Sequence, residues 1–135
     1  MRPFRIVVAA HGDLAAALIR SAEMICGPIE DAVPVALLVA HSPEQFAELL
    51  RAALDPVDRP ALILADLQGG TPHNVACLVA RGRPATATIA GVNLGILIEA
   101  AMGLQSVDED AIQQLVSAGR LSIVDSTRRL AGSAS

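Results

Sequence analysis

The sequence contains no lysine, no tryptophan and no tyrosine. Without lysine there is no Gly-rich phosphate loop of the kind that ends in Lys-Ser or Lys-Thr, which argues against direct ATP hydrolysis. The aromatic set is Phe4 and Phe46 alone. A flavin or a single-stranded base wants an aromatic stacking surface, so both are disfavoured as ligands. Only two cysteines occur, Cys26 and Cys77. Both sit in helix-like patterns and read as buried apolar fillers in a reducing compartment. No apolar run reaches about 18 residues, so no membrane-spanning helix is expected. The N-terminus leads straight into a strand-like run and lacks a small-residue cleavage site, so no signal peptide is expected either. A cytoplasmic protein follows from these expectations. The ten basic residues are all arginine and are scattered, with Arg128 and Arg129 the closest pair, and the net charge is −4. A nucleic-acid partner would want a concentrated basic face, so none is expected.

What is present is a chain of 135 residues that is 53% hydrophobic. That length suits one domain, which buries roughly two thirds of the surface its unfolded chain exposes. We read residues 1–135 as a single domain without internal repeat or linker, with residues 126–135 a loose polar tail.

Apolar runs alternate with helical patterns along the chain. Phe4 to Ala10 reads as a strand buried on both faces. Asp13 is placed to cap a helix from Leu14 to Cys26, with Leu14, Leu18, Ala22 and Ile25 on its inward face, stopped by Gly27-Pro28. Ala32 to Val39 is a second strand. Ser42-Pro43-Glu44-Gln45 is a capping box with proline at the first helical position. Its helix runs to Leu54 with Phe46, Leu49, Leu50 and Ala53 inward. A polar loop from Asp55 to Pro60 precedes a third strand, Ala61 to Ala65. Thr71-Pro72 signals a helix start at N-cap and first turn, and that helix runs to Arg81. Ala85 to Ala90 is a fourth strand, and Leu94 to Met102 a fourth helix. Ser106 opens a second capping box, for a helix ending at Gly119, and Leu121 to Val124 is a short last strand. The order β-α-β-α-β-α-β-α-α-β predicts an α/β protein with a doubly wound, mostly parallel open sheet.

In such sheets ligands bind outside the carboxyl ends of the strands, where the strand order reverses. The groups there are His11, His41, Asp66 with Gly69-Gly70-Thr71, and Gly91-Val92-Asn93. If the first and third strands are neighbours, His11 meets Asp66. A neutral imidazole nitrogen is a nucleophile near neutral pH. A carboxylate on its other nitrogen fixes the tautomer and stabilises the cation formed on attack. The Thr71 hydroxyl, the N–H groups around Gly69, Gly70 and Thr71, and the dipole of the third helix can receive phosphoryl oxygens. The residues therefore suit a phosphorylatable histidine served by a donor that brings its own phosphoryl group.

Plainer readings of the same residues exist. His11-Gly12 suits a turn, Asp66 a turn cap, and Gly69-Gly70 a tight turn with no ligand. His41 reads as a solvated loop residue and His73 as a surface residue. Three histidines and an aspartate near one edge also permit zinc, but no two histidines have the close spacing of a strong motif. No metal and no cofactor are expected.

Three segments carry a family resemblance: Val8-Ala9-Ala10-His11-Gly12, Asp66-Leu67-Gln68-Gly69-Gly70-Thr71-Pro72-His73-Asn74, and Ile89-Ala90-Gly91-Val92-Asn93-Leu94. Together they resemble the mannose-family enzyme IIA of the bacterial sugar phosphotransferase system, over about residues 4–125. The resemblance implies that His11 takes a phosphoryl group from the phosphocarrier protein HPr and passes it to enzyme IIB, which serves a membrane sugar permease. It implies that Asp66 hydrogen-bonds His11 and that Thr71 lies near the phosphate. It implies four parallel strands plus a C-terminal antiparallel strand, here Leu121 to Val124, exchanged in a homodimer. Gln68, His73 and Gly95 depart from the residues usual in that family. An alternative use of the same site is a regulatory module, in which phosphorylation of His11 controls a partner protein.

Overall fold

The computed structural model describes residues 2–55 and 59–127. Four strands form one sheet: β1 (Arg5–His11), β2 (Ala32–Leu37), β3 (Ala61–Ala65) and β4 (Thr86–Ala90). They lie in the order β2-β1-β3-β4 and every pair is parallel. Five helices accompany them: α1 (Leu14–Cys26), α2 (Pro43–Leu54), α3 (Thr71–Arg81), α4 (Leu94–Met102) and α5 (Glu109–Leu121).

The pleat sends alternate residues of β1 to opposite faces. Ile6, Val8 and Ala10 join the core under α1, α4 and α5. Val7 and Ala9 join a second core under α2 and α3, built on Phe46, Leu50, Leu54 and Val75. Both central strands are thus covered on two sides, and all five residues of β3 are buried. Each fully buried Leu, Ile or Phe stabilises the fold by about 1.5–3 kcal/mol. That burial is what fixes β1 beside β3.

The expected elements form, with local differences. The Ser42 hydroxyl accepts from Gln45 N–H at 3.1 Å and Gln45 Oε1 accepts from Ser42 N–H at 2.8 Å, so the capping box of α2 is complete. Asp13 stands at the N-cap of α1 but makes no side-chain capping bond. The inward face of α1 is Ala15, Ile19 and Ala22, while Leu14 and Ile25 are exposed. In α2 the buried residues are Phe46, Leu50 and Leu54, with Leu49 exposed. Cys26 and Cys77 are free and half-buried rather than fully enclosed.

At α5 the cap is Asp108, whose carboxylate accepts from Ala111 N–H at 2.9 Å. Ser106 supports that cap by donating its hydroxyl to Asp108 at 2.8 Å. Gly119 does not end α5. It is buried where the helix rests on α4, and a Cβ there would sit 2.5 Å from Ile96 Cδ1. The expected strand from Leu121 to Val124 is not formed in the single chain. Leu121 is the last residue of α5, and Ile123 and Val124 are irregular and exposed. A strand needs a ladder partner, and within this sheet β4 ends the strand order with no fifth strand beside it. Residues 56–58, half of the expected loop from Asp55 to Pro60, and the tail beyond residue 127 with Arg128 and Arg129, lie outside the described residues. Among the described residues, no helix is long and apolar enough to cross a membrane.

Candidate functional site

From β1 the chain moves to β2 on one side, then crosses back to β3 on the other. The strand order therefore reverses between β1 and β3. His11 is the last residue of β1 and Asp66 the first residue after β3. The register pairs Ala9 with Ala65, which brings the two residues together at the carboxyl edge.

Asp66 is tied to His11 twice. Its Oδ2 accepts from the His11 backbone N–H at 2.9 Å and lies 2.8 Å from the His11 ring nitrogen Nδ1. The Asp66 side chain is only 8% exposed, whereas the His11 side chain is 50% exposed. The acid is thus buried beneath a ring whose outer half faces solvent. Burial pushes the Asp66 carboxyl up. The bonds from the His11 backbone N–H and ring outweigh that and hold it below the ordinary carboxylate value. An ionised carboxylate only accepts, so Nδ1 carries a proton, and in the neutral ring the lone pair is on Nε2. Among the described residues, Asp66 Oδ1 is buried without a hydrogen-bond partner.

Around His11 the turn after β3 makes a close wall. Gly69 has a φ of +81°, a conformation that favours glycine. Gly70 has an ordinary extended backbone, but a Cβ on it would lie 3.2 Å from His11 Cε1. The N-cap of α3 is Gly70, so Thr71 is the first helical residue rather than the cap, with Pro72 behind it. The two glycine N–H groups are already engaged: Gly69 donates to His73 Nδ1 at 3.0 Å, and Gly70 donates to the Leu67 carbonyl at 3.0 Å. Of the N–H groups around Gly69, Gly70 and Thr71 that the sequence suggests for phosphoryl oxygens, the two on glycine are thus bonded within the turn in this chain. At the start of α3, Pro72 has no N–H and Asn74 N–H donates to the Gly70 carbonyl at 2.9 Å, so the N–H groups that a helix start leaves without an intrahelical partner are those of Thr71 and His73.

The other strand-edge residues have local tasks. His41 Nδ1 accepts from Leu38 N–H at 3.0 Å and its own N–H returns to the Leu38 carbonyl, closing the turn after β2. The Asn93 side chain accepts from Ile96 N–H at 2.9 Å and caps α4. An open cleft of about 330 Å³ lies beside His11, lined by Gly12, Leu37, Leu38, Val39 and His41. Leu38, Val39 and Leu67 are exposed and make an apolar rim on the loops that flank His11. Among the described residues, no three His, Cys, Asp or Glu side chains converge as a metal-binding group. Sequence reasoning missed the tasks of His73 and Asn74. The four- and five-residue spacings back to Gly69 are common between a turn and a first helical turn, so they carried little signal.

A family model described as "EIIA-man: PTS system fructose IIA component" matches residues 5–117. The chain is 31% identical over 114 residues to the PTS system mannose-specific EIIAB component of Escherichia coli K12, covering 83% of this chain and 35% of that protein. It therefore spans about a third of that relative's length. It is 32% identical over 96 residues to the PTS system fructose-specific EIIA component of Bacillus subtilis 168, covering 70% of this chain and 66% of that one. Among solved structures, the mannose/sorbose specific IIA subunit from Enterococcus faecalis superposes with a TM-score of 0.84 at 34% identity, covering 92% of this chain and 94% of that one.

Proposed function

Because the chain belongs to the mannose-type EIIA family of the phosphotransferase system, we propose that it is a phosphocarrier whose acceptor is His11. The observation that carries this reading is the 2.8 Å contact between His11 Nδ1 and Asp66 Oδ2 at the point where the strand order reverses. It leaves Nε2 as the nucleophile. Nε2 attacks the phosphorus of phospho-HPr, and the N–P bond forms as the donor's own bond to phosphorus breaks. The ring gains positive charge, which the buried Asp66 carboxylate offsets. The phosphoryl oxygens meet the Thr71 hydroxyl and the first-turn N–H groups of α3, at the positive end of its dipole. Transfer to enzyme IIB is the same displacement with His11 as leaving group. Enzyme IIB then supplies a membrane sugar permease, so the sugar itself never reaches this chain. The apolar rim of Leu38, Val39 and Leu67 suits the docking of these two protein partners in turn.

The same reading includes a homodimer. Leu121, Ile123 and Val124 are exposed apolar residues, and Ile123 lines a groove of about 430 Å³ together with Thr88, Ile89 and Ala90 of β4. Release of the last turn of α5 lets residues 121–124 add an antiparallel strand to β4 of a second copy. Light scattering with and without Ile123→Asp tests this: the dimer is expected to dissociate in the variant.

The test of the central reading is intact mass after incubation with phosphoenolpyruvate, enzyme I and HPr. One acid-labile phosphoryl group on the wild type and none on His11→Ala supports it. Equal labelling of the variant overturns it.

A further inference from the structure

The block from Asp66 to Asn74 ends in two side chains to which phosphoryl transfer as described gives no task. Both reach back to one peptide unit. Gly69 N–H donates to His73 Nδ1 at 3.0 Å. Asn74 Nδ2 donates to the Gly69 carbonyl at 3.1 Å. Gly69 is thus held at its donor and at its acceptor by adjacent residues of the first turn of α3. Those residues sit on a helix whose buried face, Pro72, Val75, Ala76 and Val79, is seated in the core. The brace is therefore anchored to the rigid part of the molecule.

The residue after Gly69 lies close beside the His11 ring. A Cβ on Gly70 would lie 3.2 Å from His11 Cε1, the ring carbon between the two nitrogens. One hydrogen bond, from Nδ1 to Asp66, fixes a point on the ring but leaves it a pivot. The Gly70 backbone stands on the Cε1 side of the ring with too little room for even a Cβ between them, so its position limits that freedom. We propose that His73 and Asn74 are positioning residues for phosphoryl transfer, locking the Gly69–Gly70 turn so that it holds the His11 ring with Nε2 presented outward. The proposal rests on the phosphocarrier reading of His11.

The physical stake is orientation. A nucleophile displaced by about 1 Å loses on the order of a hundredfold in rate. A turn stabiliser alone changes stability but leaves the rate at saturation intact. His73 accepts through a ring nitrogen, and glutamine also offers an acceptor on a side chain of similar reach. His73→Gln should therefore keep the brace, whereas His73→Ala removes it. Asn74→Ala removes the other half and serves as an independent variant.

The experiment follows single-turnover phosphorylation by phospho-HPr for the wild type, His73→Ala, His73→Gln and Asn74→Ala, with amide exchange at Gly69 measured in each. The saturating rate is expected to fall about tenfold or more in the two alanine variants. The half-saturating concentration should stay within roughly twofold. Gly69 exchange should quicken in His73→Ala, and His73→Gln should restore both rate and protection. An unchanged saturating rate, an effect confined to half-saturation, unchanged Gly69 exchange in His73→Ala, or failure of glutamine to rescue overturns the proposal. If the wild type takes no phosphoryl group, the phosphocarrier reading is what fails, and Gly69 exchange still decides whether the brace exists.

Discussion

Asp66 accepts two hydrogen bonds from one residue, His11, through a single oxygen: 2.9 Å from the backbone N–H and 2.8 Å from the ring. Main chain and side chain of His11 are thus indexed to the same buried atom. The acid defines which nitrogen of His11 holds the proton and where the strand end lies.

Asp66→Asn tests the charge without removing the shape. The amide oxygen still accepts, so the fold is expected to persist. The compensating negative charge is gone, and charge-assisted hydrogen bonds are roughly twice as strong as neutral ones. Transfer from phospho-HPr should slow by about tenfold to a hundredfold, at about 1.4 kcal/mol per tenfold. Quench-flow rates compared with circular dichroism separate the two effects.

The same residue predicts a pH dependence of stability. The folded-state pKa of Asp66 is depressed, because bonds from His11 outweigh the opposing effect of burial. A depressed acid stabilises the fold above its unfolded pKa of about 3.9 and loses that contribution as pH falls through the folded value. Urea melts of wild type and Asp66→Asn should therefore differ most at neutral pH. The gap should close as pH falls below about 4. A gap that widens in acid contradicts this.

The two glycines of the turn separate strain from obstruction. Gly69 has a φ of +81° and open space where a Cβ would go. Gly69→Ala should cost about 1–3 kcal/mol of stability through backbone strain. Gly70 has a φ of −75°, which alanine adopts freely, but its Cβ would press on His11 Cε1 and the Leu67 carbonyl. Gly70→Ala should lower Tm less than Gly69→Ala does and lower the phosphoryl-transfer rate more. Thermal melts and transfer rates on both variants check the contrast.

Gly119 offers a control far from this turn. Alanine there gains about 1 kcal/mol in helix propensity, yet its Cβ would sit 2.5 Å from Ile96 Cδ1. Overpacking costs about 1–3 kcal/mol, so Gly119→Ala should lower Tm without touching transfer. Pairing it with Ile96→Val should recover part of the loss, as a double-mutant cycle would show.

Much of the architecture was legible because the chain marks it strongly. The five apolar residues of β3 and the Asn93-led start of α4 fall where the sequence puts them. The meeting of His11 and Asp66 depends on β1 and β3 being neighbours, which the sequence left as a condition and the strand order β2-β1-β3-β4 supplies. The inward face of α1 was legible in part: Ala22 is buried and Leu18 packs against the core as expected, but Leu14 and Ile25 are exposed and Ala15 and Ile19 are buried instead, because the helix is apolar on nearly every side. Thr71 was read as a cap because Thr-Pro resembles one, yet Gly70 takes the extended cap conformation a residue earlier. The task of His73 was invisible, since hydrogen bonding to a turn four residues back leaves no periodic mark.

The most direct test of the account is NMR of the phosphorylated protein with 15N-labelled histidine. The account predicts coupling of 31P to Nε2 of His11, with Nδ1 still protonated against Asp66. Coupling to Nδ1, or phosphate on His41 or His73 instead, would contradict it.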